Sequence, residues 1–287
     1  MTAACLVCGA AVFEPYLGDL RRCRACGFVT AELDAAPDAA ALYGDGYFQG
    51  EEYLDYERDK VFLQRNFGQR LADVTKRVPG GRLLEIGSAY GFFLDLARAH
   101  FDVVGYEVNR TAARHAREVL GLDVRTGDFL YGDDDDGSAP FDAVVMWDVV
   151  EHLARPDRFL ARIARLTRPG AALFITTGDV GSLVARWRGR RWRMIHPPTH
   201  LHYFSRATLT RLLARQGFCT VETRAIPVAR SIRQMLYSVL VLRLGQPRLY
   251  EAVAARVPAT WGIGLNTFDI MLMVAERAEE GASRPPS

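Results

Sequence analysis

From Arg82 onward the chain alternates short apolar runs with stretches of helical periodicity, the pattern of strands buried on both faces and joined by helices. Leu83, Leu84 and Ile86 make the first run, and Gly87 and Gly91 bracket a turn into a helix from Phe92 to His100. A second strand, Asp102 to Tyr106, ends on Glu107, and a helix from Arg110 to Leu120 follows. Leu122 to Thr126 is a third strand, Asp142 to Met146 a fourth and Ala172 to Thr177 a fifth. Between the last two, Pro156 suits a helical first turn, and the helix from Asp157 to Arg168 is stopped by Pro169 and Gly170. Ser205 reads as the N-cap of a helix from Arg206 to Gln216, with Phe204 placed to staple against Leu209. Phe218 to Thr223 is a sixth strand in which Cys219 is expected to pack in the core. Ser231 to Leu244 is an amphipathic helix with Ile232, Leu236, Val239, Leu240 and Leu244 on one side, and Asn266 to Ala275 reads as a last strand.

The first strand, glycine turn and helix suit a ligand lying across the strand end. Glycine lets the backbone come close to it, and the helix N-terminus offers unpaired N–H donors. Glu107 follows the turn by roughly twenty residues, where an acid can accept hydrogen bonds from ribose hydroxyls. After the third strand, Asp128 can accept from an exocyclic amine while Phe129 packs on a base, or it can simply cap a turn.

Four segments in order, Glu85 to Gly91, Gly105 to Glu107, Gly127 to Phe129 and Phe141 to Leu153, resemble the motif set of class I S-adenosylmethionine-dependent methyltransferases. The resemblance is nearest to the branch of ubiquinone-type O-methyltransferases and small-molecule or sugar-tailoring enzymes, and it covers about Arg82 to Ala225. One departure is Ser88-Ala89-Tyr90, where many relatives carry a more glycine-rich turn. The resemblance implies an α/β fold, a Rossmann-like seven-stranded, mostly parallel sheet with helices on both faces and an antiparallel last strand. It also implies S-adenosylmethionine as cofactor. Glu85, Gly87, Ser88, Gly91 and Phe92 would then shape the methionine side, with Trp147 and Asp148 facing it. Glu107 and Val108 would lie at the ribose, and Asp128 and Phe129 at the adenine.

Composition adds bounds. A chain of 287 residues with 49% hydrophobic and 24% charged residues can bury a full core, and a formal charge of +2 does not demand nucleic acid. No signal pattern precedes Cys5, and no apolar run reaches the ~18 to 20 residues of a membrane span, so the cytoplasm is the expected location. Its reducing conditions argue against a disulfide framework. Cys5-x-x-Cys8-Gly9 and Cys23-x-x-Cys26-Gly27, separated by fourteen residues, instead suit one tetrahedral zinc held by four thiolates. Four protein ligands leave no open position, which makes that zinc structural. Phe13 to Leu17 and Leu20 to Arg22 form a hairpin about Gly18-Asp19 between the knuckles. The expected organisation is a zinc ribbon over 1–30 and a linker with a helical lid over 31–78. A cofactor domain over 79–278 follows, with insertions at about 178–204 and 228–262, and then a disordered tail. Tyr43, Tyr47 and Phe48 in the lid either line the cleft or cover apolar surface, and Asp133 to Asp136 is a solvated acidic loop.

The candidate chemistry beyond the cofactor lies after the fourth and fifth strands. Glu151 and His152 stand at the mouth of the cleft as a base, as weak metal ligands or as caps. The stretch His196-Pro197-Pro198-Thr199-His200-Leu201-His202 follows the fifth strand, at the edge where open α/β sheets bind ligands. A methyl acceptor must lose a proton, and an imidazole near neutrality suits the task, so His200 or His202 is the expected base, ahead of His196. The three histidines could instead hold a metal, or only orient the loop. The basic run Arg186 to Arg193 could clasp an anionic acceptor, stack on nucleic acid or be a solvated loop. The helix from Ser231 to Leu244 could cover the acceptor site, join a homodimer or touch a membrane surface. The expected activity is methyl transfer to a small-molecule acceptor, most simply a hydroxyl of a sugar or natural-product intermediate. The alternatives are an RNA methyltransferase using the ribbon and the basic run, and a non-catalytic zinc scaffold.

Overall fold

The computed structural model describes residues 4–33, 60–132, 139–258 and 260–279. The expectations for Tyr43, Tyr47, Phe48, the acidic loop and the tail beyond Glu279 fall outside those residues.

The chain begins as a small antiparallel ribbon. Strands β1 (Phe13–Tyr16) and β2 (Leu20–Cys23) pair as a hairpin, turned by Leu17 and Gly18 at positive φ, and β3 (Val29–Ala31) pairs with β2. The two cysteine knuckles lie at one end of this hairpin. Cys5, Val7, Cys23 and Phe28 are buried in the same core as residues of the main sheet, so the ribbon packs directly on the larger domain.

Helix α1 (Lys60–Arg77) leads into β4 (Gly81–Ile86), α2 (Phe92–Ala97), β5 (Phe101–Glu107), α3 (Arg110–Glu118) and β6 (Asp123–Thr126). Strand β7 (Phe141–Trp147), α4 (Pro156–Leu166), β8 (Thr167–Gly178), α5 (Leu183–Arg188), β9 (His202–Tyr203) and α6 (Arg206–Arg215) follow. The chain closes with β10 (Phe218–Ala225), β11 (Val228–Ser231), α7 (Ile232–Tyr237), α8 (Pro247–Ala254), β12 (Gly262–Leu265) and β13 (Ile270–Arg277). The main sheet has seven strands in the order β10-β13-β8-β7-β4-β5-β6, and β13 runs antiparallel to both neighbours while β8, β7, β4, β5 and β6 are mutually parallel.

Alternation along β4 shows why the strands read as unbroken apolar runs. Leu84 and Ile86 belong to the core beneath α4 and α6, while Leu83 belongs to the opposite core beneath α1, α2 and α3. Both faces are covered, so from Leu83 the strand is apolar in both phases until Glu85 near its carboxyl end. Helix α3 buries only Ala112, Ala113 and Ala116, which lets it lie close to the sheet, and Asn109 caps it by accepting from the Ala112 N–H at 2.8 Å. The cap of α6 is as expected: Ser205 and Thr208 bond reciprocally, and Phe204 and Leu209 are both fully buried.

Several boundaries differ from expectation. Strand β8 begins at Thr167 and runs through Pro169 and Gly170, because a register shift opposite Phe141 and Ala143 of β7 accommodates the extra residues there. Helix α2 ends at Ala97 and not at His100. Cys219 is exposed, since it sits on the edge strand β10. The stretch 231–244 is not one helix but α7 continued by a π-helical segment, Ser238–Arg243, on which Val239 and Leu242 are exposed. Asn266 to Phe268 form a loop before β13, with Phe268 exposed. The stretch after β8 contains α5 with Ser182 as its N-cap. Among the described residues, no helix is long and apolar enough to cross a membrane.

Candidate functional site

The carboxyl ends of β4, β5, β6 and β7 open on a single cavity of about 1170 Å³. It is walled by Glu85, Gly87, Ser88, Glu107, Val108, Asp128, Phe129, Trp147 and Asp148 from those strand ends, by Asn66 and Arg70 of α1, and by Glu151 and His152 after β7. Arg193, Met194, His196 and His200 reach it from the loop between α5 and β9, and Arg230 and Gln234 from β11 and α7. Asn66 fixes β11 against α1 by a two-way bond, its amide donating to Ala229 O at 2.9 Å and accepting from Ala229 N at 2.8 Å.

The glycine turn is there for a different reason than expected. Gly87 lies at φ 75°, and a Cβ on it would come 2.6 Å from the Val149 side chain. Gly91 lies at φ 81°, with Leu122 and Ala116 2.7 and 2.9 Å from where its Cβ would be. Both positions therefore need glycine for conformation and for protein packing. Gly87 also lines the cavity, but Gly91 and Phe92 do not. The Phe92 ring is 2% exposed and packs against Tyr90 and His115, behind the turn.

Glu107 is held by the turn itself. Its Oε2 accepts from Ala89 N at 2.7 Å and its Oε1 from Asn109 N at 2.8 Å. Burial raises its pKa against the pull of those N–H groups. Glu85 is 2% exposed, and burial together with the Glu107 charge pushes its carboxyl well above the usual range, opposed by Arg70. Arg70 was not foreseen. Its guanidinium donates to Asp148 Oδ2 at 3.2 Å and lies 5.2 Å from the Trp147 ring, so it places a buried cation on the cavity wall. The sequence held a signal for it: Phe62, Asn66, Phe67, Arg70 and Val74 recur at helical spacing as the buried face of α1. Asp148, at φ 56°, accepts from Thr176 Oγ1 at 2.9 Å. Asp128 does cap a turn, accepting from Leu130 N at 2.8 Å, and it also lines the cavity. Phe129 is 2% exposed, with Tyr106 at 5.0 Å, Phe159 at 5.5 Å and the Arg162 guanidinium at 4.6 Å around its ring, which leaves little of it for a base.

At the other end of the cavity Glu151, His152 and His200 bring one potential ligand atom each within 4.8 Å of one another. His152 Nδ1 bonds Thr199 O at 2.9 Å and His200 Nδ1 bonds Met194 O at 2.8 Å, which assigns the proton to Nδ1 in both neutral rings. The His196 and His200 ring centroids are 3.8 Å apart. Burial, then the neighbouring His152 and His196, push His200 down to about 2, and burial pushes His152 down to about 4. The His152 and His200 rings are therefore neutral at physiological pH. Glu151 is 2% exposed, and burial with the Asp148 charge pushes it up to about 8 against the pull of backbone and Thr177 hydrogen bonding.

His202 does not share this site. It faces the ribbon, where its Nδ1 bonds Thr30 Oγ1 at 3.0 Å and its ring lies 5.4 Å from Phe28, and it is absent from the cavity wall. Its burial, which pushes the ring down to about 4, removes it from reach of an acceptor.

The four cysteines converge as their spacing predicted. Cys5 and Cys26 sulfurs are 3.7 Å apart and Cys8 and Cys23 sulfurs 3.6 Å. A tetrahedral ion with metal–sulfur bonds of ~2.3 Å requires sulfurs about 3.8 Å apart, a spacing these two distances match, and all four ligand atoms lie within 4.8 Å of one another. Burial pushes the Cys5 thiol up to about 11 and the Cys26 thiol higher still, while against its burial, hydrogen bonds from the Ala10 backbone and the other cysteines bring Cys8 down to about 7, so a cation is what would ionise the first two.

Comparison with known proteins bears on this arrangement. Residues 54–223, more than half of the chain, match the family described as a methyltransferase domain. A ubiquinone biosynthesis O-methyltransferase of Caulobacter vibrioides is 36% identical over 37% of this chain and 44% of its own length. A Mycolicibacterium smegmatis protein named for S-adenosylmethionine-dependent methyl transfer is 28% identical over 67% of this chain and 71% of its own. The chain thus spans less than half the length of the ubiquinone-pathway relative it matches. A chain from the Haloferax volcanii complex of the Trm112 methyltransferase activator with a methyltransferase superposes with a TM-score of 0.55 at 18% identity, over 85% of this chain and all of that one, a likeness of fold. The order of strands, the acid at the end of β5 and the extent of the family match agree, and the chain belongs to the methyltransferase domain family.

Proposed function

We propose that the chain moves a methyl group from S-adenosylmethionine to an oxygen of a small-molecule acceptor, with His200 taking the acceptor's proton. One observation carries the reading: a single cavity joins Glu107 and Asp128 at one end to His152, His196 and His200 at the other. S-adenosylmethionine, when bound, supplies an electrophilic methyl group on a sulfonium. The remaining work falls to side chains of this chain. Each oxygen of Glu107 spends one lone pair on a backbone N–H and keeps another for a ribose hydroxyl. Arg70 and Glu85 suit the carboxylate and ammonium of an amino-acid group. His200, neutral with its proton on Nδ1, has Nε2 to accept with. Its depressed pKa makes it a weaker base than free imidazole.

Oxygen is favoured as the accepting atom by the relatives named for O-methylation. A sugar or natural-product hydroxyl is the acceptor we favour, and Arg230 on the wall suits an anionic group on it, whereas Arg193 is paired with Asp269 at 2.8 Å. The cysteine set would hold one structural zinc.

Calorimetric titration of the zinc-loaded chain with S-adenosylmethionine tests the central claim. Micromolar binding that Glu107→Ala weakens by about tenfold or more, ~1.4 kcal/mol, supports it. No binding to folded protein sinks it and leaves the zinc scaffold as the account.

A second reading rests on the convergence of Glu151, His152 and His200, which could hold a divalent cation that lowers the acceptor's pKa. Turnover that survives chelation under conditions that spare the cysteine site excludes it. Loss reversed by magnesium or manganese replaces the base reading.

A further inference from the structure

We infer that the four-cysteine ribbon is a positioning device for His200 and that it acts through Thr30. The inference rests on the reading of His200 as proton acceptor.

Residues 192–201 contain no α-helix or strand, yet they carry His196 and His200. A stretch without its own ladder of hydrogen bonds must be ordered by what it touches. What this stretch runs into is β9, whose residues His202 and Tyr203 form the fourth strand of the ribbon sheet opposite Thr30 and Val29 of β3. Thr30, 7% exposed, places its hydroxyl 3.0 Å from both Leu201 O and His202 Nδ1, and Ala31 N donates to Leu201 O at 2.8 Å. From the opposite side Leu201 N and His202 N both donate to Glu151 O, at 2.9 and 3.1 Å. The two residues after His200 are therefore clamped between the ribbon and the segment that follows β7. Tyr203 completes the clamp, its hydroxyl donating to His200 O at 3.0 Å.

The clamp leads straight to the cysteines. Thr30 lies four residues after Cys26, and Cys23 N donates to Phe28 O at 2.8 Å between them. Phe28, 1% exposed, packs against His202 and Phe204. Order at the cysteine cluster thus fixes β3, β3 fixes residues 201 and 202, and these fix the ring that faces the acceptor. None of these contacts involves Glu85, Glu107, Asp128, Asp148 or Arg70, the polar groups of the cofactor end.

The test uses the full zinc-loaded chain and compares wild type with Thr30→Val, which keeps shape but loses the hydroxyl, and Thr30→Ser, which keeps the hydroxyl. A Cys8→Ser variant reports on the cluster itself. Hydrogen exchange follows the Leu201 and His202 amides, nitrogen-labelled histidine spectra follow the His200 ring with His200→Asn for assignment, and calorimetry follows S-adenosylmethionine. The expected result is about five- to tenfold faster exchange in Thr30→Val, with a His200 ring no longer held in one tautomer. Thr30→Ser should restore both, Cys8→Ser should exceed Thr30→Val, and cofactor affinity should stay within about twofold throughout. Unchanged exchange and ring signals in Thr30→Val and Cys8→Ser overturn the inference, as does a Thr30→Ser protein perturbed as much as Thr30→Val. Perturbed loops in a chain whose wild type binds no cofactor would uphold the clamp while refuting the methyltransferase reading, so the two failures are told apart.

Discussion

At the cofactor end of the cavity Glu85, Glu107, Asp128 and Asp148 sit at or beside strand ends, with Arg70 added from α1, and Glu107 and Asp128 are held by backbone a few residues away or on the neighbouring strand. At the acceptor end the groups come from the turn after β7, the loop between α5 and β9, and β11 with α7, and the clamp on them comes from the N-terminal ribbon. Glu107 takes its bonds from Ala89 and Asn109, whereas His200 depends on Met194, Tyr203 and, through its neighbours, on Thr30 and Glu151. The first kind of site is reproduced wherever its short motifs fold. The second exists only once distant segments have docked.

The contrast can be broken by experiment. The largest effect should follow His200→Asn, which is expected to lower kcat by roughly 10²- to 10⁴-fold, the range of a lost general base, while leaving cofactor affinity within about twofold. Equal loss of affinity in calorimetry would show that the two ends are not independent. Next comes acid stability. Burial pushes His202 down to about 4, below its unfolded value of 6.5, so below that value the unfolded chain binds more protons. Stability should then fall as pH drops from about 6.5 toward 4, by about 3 kcal/mol from this ring, and His202→Asn should make that limb of a denaturation series shallower, His152 and His200 still contributing in the same sense. Glu151 acts in the opposite sense: with its pKa raised to about 8, it costs stability as pH rises from its usual range toward that value. Arg70→Met should weaken S-adenosylmethionine by roughly 10- to 100-fold, the loss of a charged hydrogen bond of about 1.5–3 kcal/mol. An unchanged Kd would remove Arg70 from the site. Asp128→Ala should have the smallest effect, about 1 kcal/mol, mostly as the lost cap on the turn from Phe129 to Tyr131, read by thermal unfolding beside cofactor titration.

Much of the fold was legible because its signals are local. The strand runs, the Ser205 cap, the two cysteine pairs and the acid that ends β5 are each written in a few consecutive residues. Where the reading failed, the cause was packing between elements. Cys219 looked like a core residue but lies on an edge strand, and β8 passed through Pro169 and Gly170 because its register with β7 shifts there. Gly91 looked like a ligand contact and is a close approach of α2's first turn to Leu122 and Ala116.

His200 and His202 set out the division between the two kinds of information. They lie two residues apart in the same motif, and nothing in residue type or spacing separates them. By itself the sequence determined that this chain folds as a parallel α/β sheet with a cysteine ribbon, because burial on both faces and thiol pairing leave periodic marks. Only the tertiary structure decided that His200 turns to the cavity and His202 to Thr30. That choice depends on β9 joining the ribbon's sheet, a pairing across 172 positions of chain that no local pattern encodes.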